Sequence, residues 1–245
     1  MKFHLLSDLH LEISPFTLNK PKDADILILA GDIGDPTSND YRDLIEKTSN
    51  LYKYVFIVKG NHECYGYDLQ KTGQKIAHVV DKFSNVFYLQ KRTIDIEENI
   101  RILGVTLWSD IMDYQRSDIG CFLADFRLIK EWNIENNNHE HFKDVKFIKN
   151  EINRAKEDNK KLIIITHHAP SYRGTSRPEH SGNSLSSAFC TDLEYLFNDP
   201  IKAWVFGHTH HSCKLLINNI PLISNQKGYG DNEITLFDPL FTFEI

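Results

Sequence analysis

The chain has 245 residues, enough to bury a sizeable core, and we expect residues 1–245 to form a single domain. Its hydrophobic content of 41% and charged content of 25% are close to globular averages, which excludes a fibrous or disordered chain. A formal net charge of -6 gives no general attraction for polyphosphate backbones, so nucleic acid is not an expected partner.

The first half of the chain alternates strand and helix patterns. A strand is expected to end at Ser7, followed by strands over 25–30, 54–58 and 85–90, with helices over 39–52 and 68–83. Alternation of this kind predicts a mostly parallel sheet.

The second half is less regular. Segments 93–97 and 100–107 predict a hairpin, and residues 109–141, which mix aromatic and acidic side chains, are interpreted as a cap or lid insertion. A helix over 142–158 and a strand over 162–166 precede the loop from His168 to Ser184, which is long enough to border a site. The remaining expected elements are a helix over 186–198, a strand ending at Phe206, and strands over 213–217, 220–224, 233–237 and 241–244.

Cysteine usage and hydropathy favour the cytoplasm. The four cysteines are widely spaced and form no Cys-x-x-Cys pair, which is typical of a reducing compartment. The chain reaches the polar pair Ser7-Asp8 too early for a secretory stretch, and no segment approaches the roughly 18 apolar residues of a membrane span. We therefore expect a cytoplasmic protein without membrane contact, while the pattern predicts no particular oligomeric state.

Polar groups follow five of the apolar, often β-branched segments. Because the carboxyl ends of parallel strands line one sheet edge, we expect these groups to converge. Asp, His and Asn together form an oxygen and nitrogen ligand set suited to divalent Mn, Fe, Zn or Co, which predicts metal-assisted hydrolysis. The groups are Asp8-Leu9-His10, Gly31-Asp32-Ile33-Gly34-Asp35, Gly60-Asn61-His62-Glu63, His167-His168 and Gly207-His208-Thr209-His210.

These motifs, in this order from Asp8 to His210, resemble those of the calcineurin-like metallophosphoesterase superfamily. Each string alone arises by chance, whereas five in order are specific. The resemblance implies an α/β fold, a four-layer α/β/β/α sandwich with a cap-like insertion. The start Ser7-Asp8-Leu9-His10-Leu11-Glu12, Trp108, Asp125-Phe126-Arg127 and His167-His168-Ala169-Pro170-Ser171 are similar to a bacterial subgroup of predicted phosphoesterases.

The resemblance also implies a site with two divalent ions, Mn, Fe or Zn, and hydrolysis by a hydroxide that bridges them. Asp32 would bridge the two ions. The other ligands of one ion would be Asp8, His10 and His210, and those of the second ion would be Asn61, His167 and His208. Asn61 adds a neutral amide oxygen, so the site keeps net positive charge for an anionic substrate. Asp8 and His10, as alternate residues of an extended segment, are expected to project to one side. Taken singly, such residues are more often helix caps or surface histidines.

His62 resembles the family residue that contacts substrate and protonates the leaving group, with Asp35 as its candidate partner. A His with a pKa of about 6.5 is a plausible acid at neutral pH, and simple phosphate contact is the alternative. Glu63 either supports the loop that carries Asn61 or caps the segment that follows it.

Further candidates are weaker. Guanidinium groups hold phosphate through paired hydrogen bonds, although loop arginines are usually solvated. His168 lies outside the ligand set or faces substrate, and segment 225–229 either returns to the site or forms a Gly-containing turn. The candidate substrate-binding residues are Arg127, His168, Arg173 and Arg177, with His180 as an additional one.

The leading hypothesis is a dinuclear metal-dependent phosphohydrolase acting on a small phosphomonoester or phosphodiester. A metal-dependent nuclease is the first alternative, which the acidic balance and the lack of a basic, aromatic surface disfavour. A catalytically silent metal-binding scaffold is the second, disfavoured because every motif ligand is present.

Overall fold

The computed structural model describes residues 1–230, 233 and 235–245. Its strands are β1 (Lys2–Leu6), β2 (Ile26–Ala30), β3 (Tyr54–Val58), β4 (Val86–Tyr88), β5 (Arg92–Ile96), β6 (Ile100–Gly104), β7 (Lys161–Ile165), β8 (Ile201–Phe206), β9 (Cys213–Ile217), β10 (Ile220–Ser224) and β11 (Thr242–Glu244). Its α-helices are α1 (Asn39–Leu51), α2 (Leu69–Val80), α3 (Arg116–Phe122), α4 (Asp125–Leu128) and α5 (Ile134–Glu157). Within this described part, no helix has the length and hydrophobicity needed to cross a membrane.

The strands form two sheets. The first has the order β11-β1-β2-β3-β4, in which β11 is antiparallel and the others are parallel. The second has the order β5-β6-β7-β8-β10-β9, with four parallel central strands and an antiparallel strand at each edge. Every residue of β2 and β6 is buried, as expected for parallel strands that are covered on both faces.

Three hydrophobic clusters hold four layers together. Helices α1 and α2 cover the outer face of the first sheet, where Ile45 and Ile76 pack near Leu27. The inner faces of the two sheets meet through a second cluster that includes Phe56 and Ile163. Helix α5 covers the outer face of the second sheet in a third cluster. The predicted α/β/β/α sandwich is thereby confirmed.

Helix α5 begins at Ile134 and not near 142 as the sequence pattern predicted. The Asn133 side chain accepts a hydrogen bond from Asn136 N and caps the helix at this earlier point. The buried inner face of its first turns carries polar residues, since Asn137 donates to Ser109 O and His141 contacts Trp108 O. These polar positions interrupt the apolar period, which is why the sequence pattern predicts a later start for the helix.

The helix predicted over 186–198 is wrong. Only two single 3-10 turns form there, Ser186–Ala188 and Glu194–Leu196. Between them the backbone hydrogen-bonds to the loop after β7, as Thr191 N donates to Ala169 O, and an α-helix cannot form with its N–H groups engaged elsewhere. Of the strand predicted over 233–237, position 234 lies outside the described residues, and 235–237 form no strand.

Candidate metal centre and active site

The predicted polar motifs lie at the carboxyl ends of strands from both sheets. Asp8 and His10 follow β1, Asp32 follows β2, and Asn61 follows β3. From the second sheet, the motif histidines follow β7 and β8 at 167, 208 and 210. The two sheets face each other, so these ends meet at one edge of the sandwich.

Ligand-type atoms at this edge lie within 4.8 Å of one another in two main sets, and a third set of His10, Asp32 and His62 shares one residue with each of them. Asp32 Oδ2 belongs between them, 3.3 Å from His167 Nε2 and 3.9 Å from His10 Nε2. The two main sets are Asp8, His10 and His210, and Asp32, His167 and His208. We call these six residues together with Asn61 the ligand cluster.

Asn61 joins the second set through its amide oxygen, which lies 3.1 Å from His167 Nε2. Its amide nitrogen donates to Asp125 Oδ1 at 2.8 Å, and the same oxygen accepts from Tyr65 Oη at 2.7 Å. A carboxylate can only accept such bonds, so Asp125 turns the amide nitrogen away from the cluster and its oxygen towards it. The Asp125-Phe126-Arg127 motif was noted in the sequence, but this supporting role was not predicted.

The backbone at the cluster is left-handed, which corrects the prediction of an extended Asp8-to-His10 segment. Both residues have positive φ, 53° at Asp8 and 47° at His10, and backbone hydrogen bonds from their N–H groups to Gly31 O and Asp32 O hold this turn. Asp32, His208 and His210 also have positive φ. Such strained backbone at non-glycine residues is typical of functional sites.

Two motif glycines allow the backbone to approach the cluster closely. A Cβ added at Gly60 would collide with Asp32 Oδ1 and His167 Nε2. One added at Gly207 would collide with the Ser7 hydroxyl and the Asp8 carboxylate. No residue with a side chain therefore fits at the glycines of the Gly-Asn-His-Glu and Gly-His-x-His motifs without displacing cluster residues.

Hydrogen bonds set the orientation of the histidine rings. Nδ1 of His10 donates to Glu12 Oε1, and Nδ1 of His210 donates to Glu233 Oε2, both at 2.9 Å. Their Nε2 atoms consequently turn inward and lie 3.1 Å apart. Two lone pairs at this distance repel each other unless a proton or a cation lies between them, so the arrangement fits a metal ion. The roles of Glu12 and Glu233 were not predicted.

The second set has the same character. Burial opposes ionisation, but the charges of His167 and His62 outweigh it and hold the pKa of Asp32 well below its usual range. Burial likewise opposes protonation of His167, yet Asp32 raises the pKa of that ring to about 10. Atoms that stabilise a proton so strongly would also stabilise a cation.

His208 supplies a neutral donor to this set. Burial and the neighbouring rings of His168 and His167 hold the pKa of His208 well below its usual range. Its Nε2 is buried and has no hydrogen-bond partner among the described residues. A neutral imidazole with a free buried nitrogen beside an ionised carboxylate fits a divalent ion with mixed oxygen and nitrogen ligands.

His62 pairs with Glu12 and not with Asp35, which corrects the predicted partner. Its Nδ1 donates to Glu12 Oε1 at 3.0 Å, while its Nε2 lies 3.1 Å from Tyr229 Oη. Burial disfavours the charged ring, but Asp32 and Glu12 override this effect and raise the pKa of His62 to about 9. Asp35 instead accepts from the backbone and side chain of Thr37, each at 2.8 Å, in the turn before α1.

Glu63 supports the ligand loops. Its carboxylate accepts hydrogen bonds from Asp32 N at 3.1 Å, and from Ile33 N and Gly60 N at 2.7 Å. The side chain thus ties the loop after β2 to the loop after β3, which favours the supporting role over the capping role.

A cavity of about 440 Å³ opens beside the ligand cluster, with Asp32, Asn61 and His62 along its base. Four large apolar side chains, which we call the apolar rim, line its wall: Phe122, Leu123, Leu185 and Phe189. Phe122 and Leu123 come from the predicted insertion, and the other two follow the loop after β7. Phe189 stacks on the His208 ring with centroids 4.7 Å apart, which joins the apolar rim to the cluster.

Of the four candidate substrate-binding residues, only Arg177 lines this cavity, as does the additional candidate His180. Arg127 donates to Cys121 O at 2.7 Å at the end of α3, and Arg173 pairs with Glu194 at 3.3 Å. His168 is buried with its ring against Trp108. The segment over 225–229 does reach the site, because Tyr229 lies against the cluster histidines.

Comparison with known proteins agrees with this geometry. The family model described as calcineurin-like phosphoesterase matches residues 1–212. Protein L509 of Acanthamoeba polyphaga mimivirus is 30% identical in an alignment of 271 positions, which covers 98% of this chain and 95% of that protein.

Two solved structures share the fold at low sequence identity. Phosphopantetheinyl hydrolase from Mycobacterium tuberculosis has a TM-score of 0.72 and 14% identity, over 93% of this chain and 89% of that one. A putative 5'-nucleotidase from Staphylococcus aureus has a TM-score of 0.53 and 13% identity, over 91% of this chain and 48% of that one.

Proposed function

Because the chain belongs to the calcineurin-like phosphoesterase family, we propose that it hydrolyses a small phosphomonoester or phosphodiester at a centre of two divalent metal ions. Family membership makes it a metal-dependent hydrolase of phosphoric esters. The observation that carries the proposal is the convergence of two ligand sets, one on either side of the Asp32 carboxylate.

In this proposal, Asp32 contributes to both ion sites. Asp8, His10 and His210 would complete one site, and Asn61, His167 and His208 the other, with Mn, Fe or Zn as the ions that suit these ligands. When bound, two such ions lower the pKa of a water between them and neutralise charge on the phosphoryl oxygens.

His62 is proposed to protonate the leaving group. His62 lines the cavity, and Glu12 holds its Nδ1, so Nε2 is the ring nitrogen that would deliver a proton to the departing oxygen. Asp32 and Glu12 favour the charged ring, with a pKa of about 9, and two bound cations would move this value back towards neutrality. Tyr229 contacts the same nitrogen and would hold the ring in place.

Cavity size and charge favour a small substrate. About 440 Å³ lies in the range of pockets that enclose small organic ligands, and Arg177 is the single Arg or Lys among the described residues that line it. A nucleic-acid groove would instead show several cationic side chains along a backbone track. We also propose that the chain acts as one catalytic domain in the cytoplasm, supported by its four free cysteines.

The test is hydrolysis of p-nitrophenyl phosphate and bis-p-nitrophenyl phosphate by chelated enzyme with and without added Mn²⁺. Metal-restored cleavage mainly of the diester would identify a phosphodiesterase, and preference for the monoester a phosphatase. If added Mn²⁺, Fe²⁺ and Zn²⁺ all fail to restore cleavage of either ester, the proposed function is wrong.

A further inference from the structure

We propose that the substrate is a phosphoester whose organic part has an apolar or aromatic portion and a second anionic group, with Arg177 binding that second anion. The inference rests on the proposed function and specifies the substrate class of the same site. Two independent features of the cavity wall carry it: the apolar rim and an unpaired guanidinium nitrogen.

The apolar rim is larger than a phosphoryl group alone would need. Phe122 is 66% exposed at the cavity mouth, although a large aromatic side chain gains from being covered. Phe189 continues this surface down to the His208 ring. A phosphoryl group at the cluster would therefore have its ester substituent beside these rings, and an apolar substituent would cover them.

Arg177 presents a different chemistry on the same wall. Its Nη2 atom is buried and makes no hydrogen bond within the described part of the chain. A buried donor on a permanently charged group is costly when it is left unpaired, so a ligand that pairs with it gains correspondingly. The planar guanidinium matches a carboxylate or a second phosphate through two parallel hydrogen bonds.

The nearby carboxylate of Glu233 makes no hydrogen bond with Arg177 Nη2. Glu233 accepts from His210 Nδ1 at 2.9 Å and from Tyr229 N at 2.7 Å. Arg177 thus remains available for an anion that arrives with the substrate.

The second anion is distinct from the phosphoryl group that reacts. That group would be held at the ligand cluster, and within the described part of the chain Arg177 makes no hydrogen bond or ion pair with any cluster residue. Substrates that carry the two anions at either end of an apolar span would use the cluster, the apolar rim and Arg177 together.

The experiment uses phosphonates, which bind without being hydrolysed. Isothermal titration of Mn²⁺-loaded enzyme would give Kd values for benzylphosphonate, its 3- and 4-carboxy derivatives, the matching neutral carboxamides, and methylphosphonate. We expect at least one carboxy isomer to bind about tenfold or more tightly than its carboxamide. Arg177→Gln should abolish that preference.

Arg116→Gln is the matched control, since Arg116 lies in α3, which also carries Phe122, but pairs with Glu135 at 2.6 Å outside the cavity lining. This variant should keep the wild-type preference. Phe122→Ala should weaken every benzyl ligand relative to methylphosphonate. Circular dichroism and melting temperature would check that each variant is folded.

Equal affinity for carboxy and carboxamide ligands in both isomers would contradict the inference that the site binds a second anion. An equal loss of methylphosphonate affinity in Arg177→Gln would show that Arg177 binds the reacting phosphoryl group, which also contradicts the inference. Because these titrations involve no turnover, their failure is separable from failure of the proposed function, which the p-nitrophenyl esters test.

Discussion

The ligand cluster and the apolar rim line neighbouring parts of the same cavity but are built differently. Asp8, His10 and His167 are fully buried, and hydrogen bonds hold their rings, carboxylates and left-handed backbone. The apolar rim comes from short segments, such as the seven-residue helix α3, and exposes much of Phe122. In the proposed function, the hydrogen-bonded base would carry the chemistry, and the wall would select the substrate, so that variants of the wall would change affinity without disturbing the base.

Asp32→Asn should have the largest effect, because it removes the charge shared by both ligand sets. We expect turnover of p-nitrophenyl esters to fall by about a thousandfold or more, since loss of metal-based stabilisation costs several kcal/mol. Elemental analysis of the variant should show reduced metal content. Wild-type turnover in a folded Asp32→Asn protein would contradict the assignment of the cluster.

Glu12→Gln should reduce kcat at saturating Mn²⁺ by about a hundredfold, as expected when a general acid loses its orienting charge. Glu12 accepts from both His10 and His62, so the cluster and the acid are affected together. Asp35→Asn is the control and should stay close to wild type. The reverse order of effects would restore Asp35 as the partner of His62.

Asp125→Asn tests a place where an element of the cavity wall supports the cluster. Asp125 begins α4 and holds the Asn61 amide, so its replacement should weaken Mn²⁺ binding about tenfold to a hundredfold. Activity should recover largely at high Mn²⁺, which a titration of kcat against metal would show. Asp113→Asn, an exposed position before α3, should leave the titration unchanged.

Phe122→Ala should act on substrate affinity alone. We expect KM for aryl phosphates to rise about fivefold with kcat retained, since loss of about 40 Å² of apolar contact costs about 1 kcal/mol. Tyr195→Ala removes an aromatic side chain of similar exposure, 59%, outside the cavity lining and should not change KM. A fall in kcat for Phe122→Ala would contradict the proposal that the apolar rim affects substrate affinity and not the chemical step.

His4 should affect stability and leave turnover at neutral pH unchanged. It lies in β1, which leads into Asp8; its Nε2 donates to Pro239 O and its Nδ1 accepts from Tyr52 Oη. Burial lowers the pKa of His4 to about 4. Below about pH 6.5 the His4 ring therefore binds a proton in the unfolded chain but not in the folded chain. The free energy of unfolding consequently decreases as the pH falls from about 6.5 towards 4.

This group alone accounts for about 3 kcal/mol of that loss. His4→Gln should flatten the dependence of the unfolding free energy on pH over this window, measured by urea denaturation at several pH values. An unchanged slope would show that other groups control the acid sensitivity of β1.

Much of the fold followed from local pattern. The apolar runs of β2 and β3 and the capped helices α1 and α2 were predicted within a few residues, because each is specified by contiguous sequence. The start of α5 was missed because buried polar side chains such as Asn137 occupy its inner face. The helix predicted over 186–198 failed because its backbone bonds to a loop that is distant in sequence.

The candidate metal ligands could be identified from the chain alone, because strand ends followed by Asp, Asn and His are visible as strings and parallel sheets bring such ends to one edge. Folded contacts were needed to show that Glu12 and not Asp35 pairs with His62, and that Arg177 and not Arg127 reaches the cavity. Asp125, 64 positions beyond Asn61, orients that amide for the same kind of reason. Contacts of this type depend on how loops pack and on left-handed turns, neither of which leaves a periodic pattern in the chain.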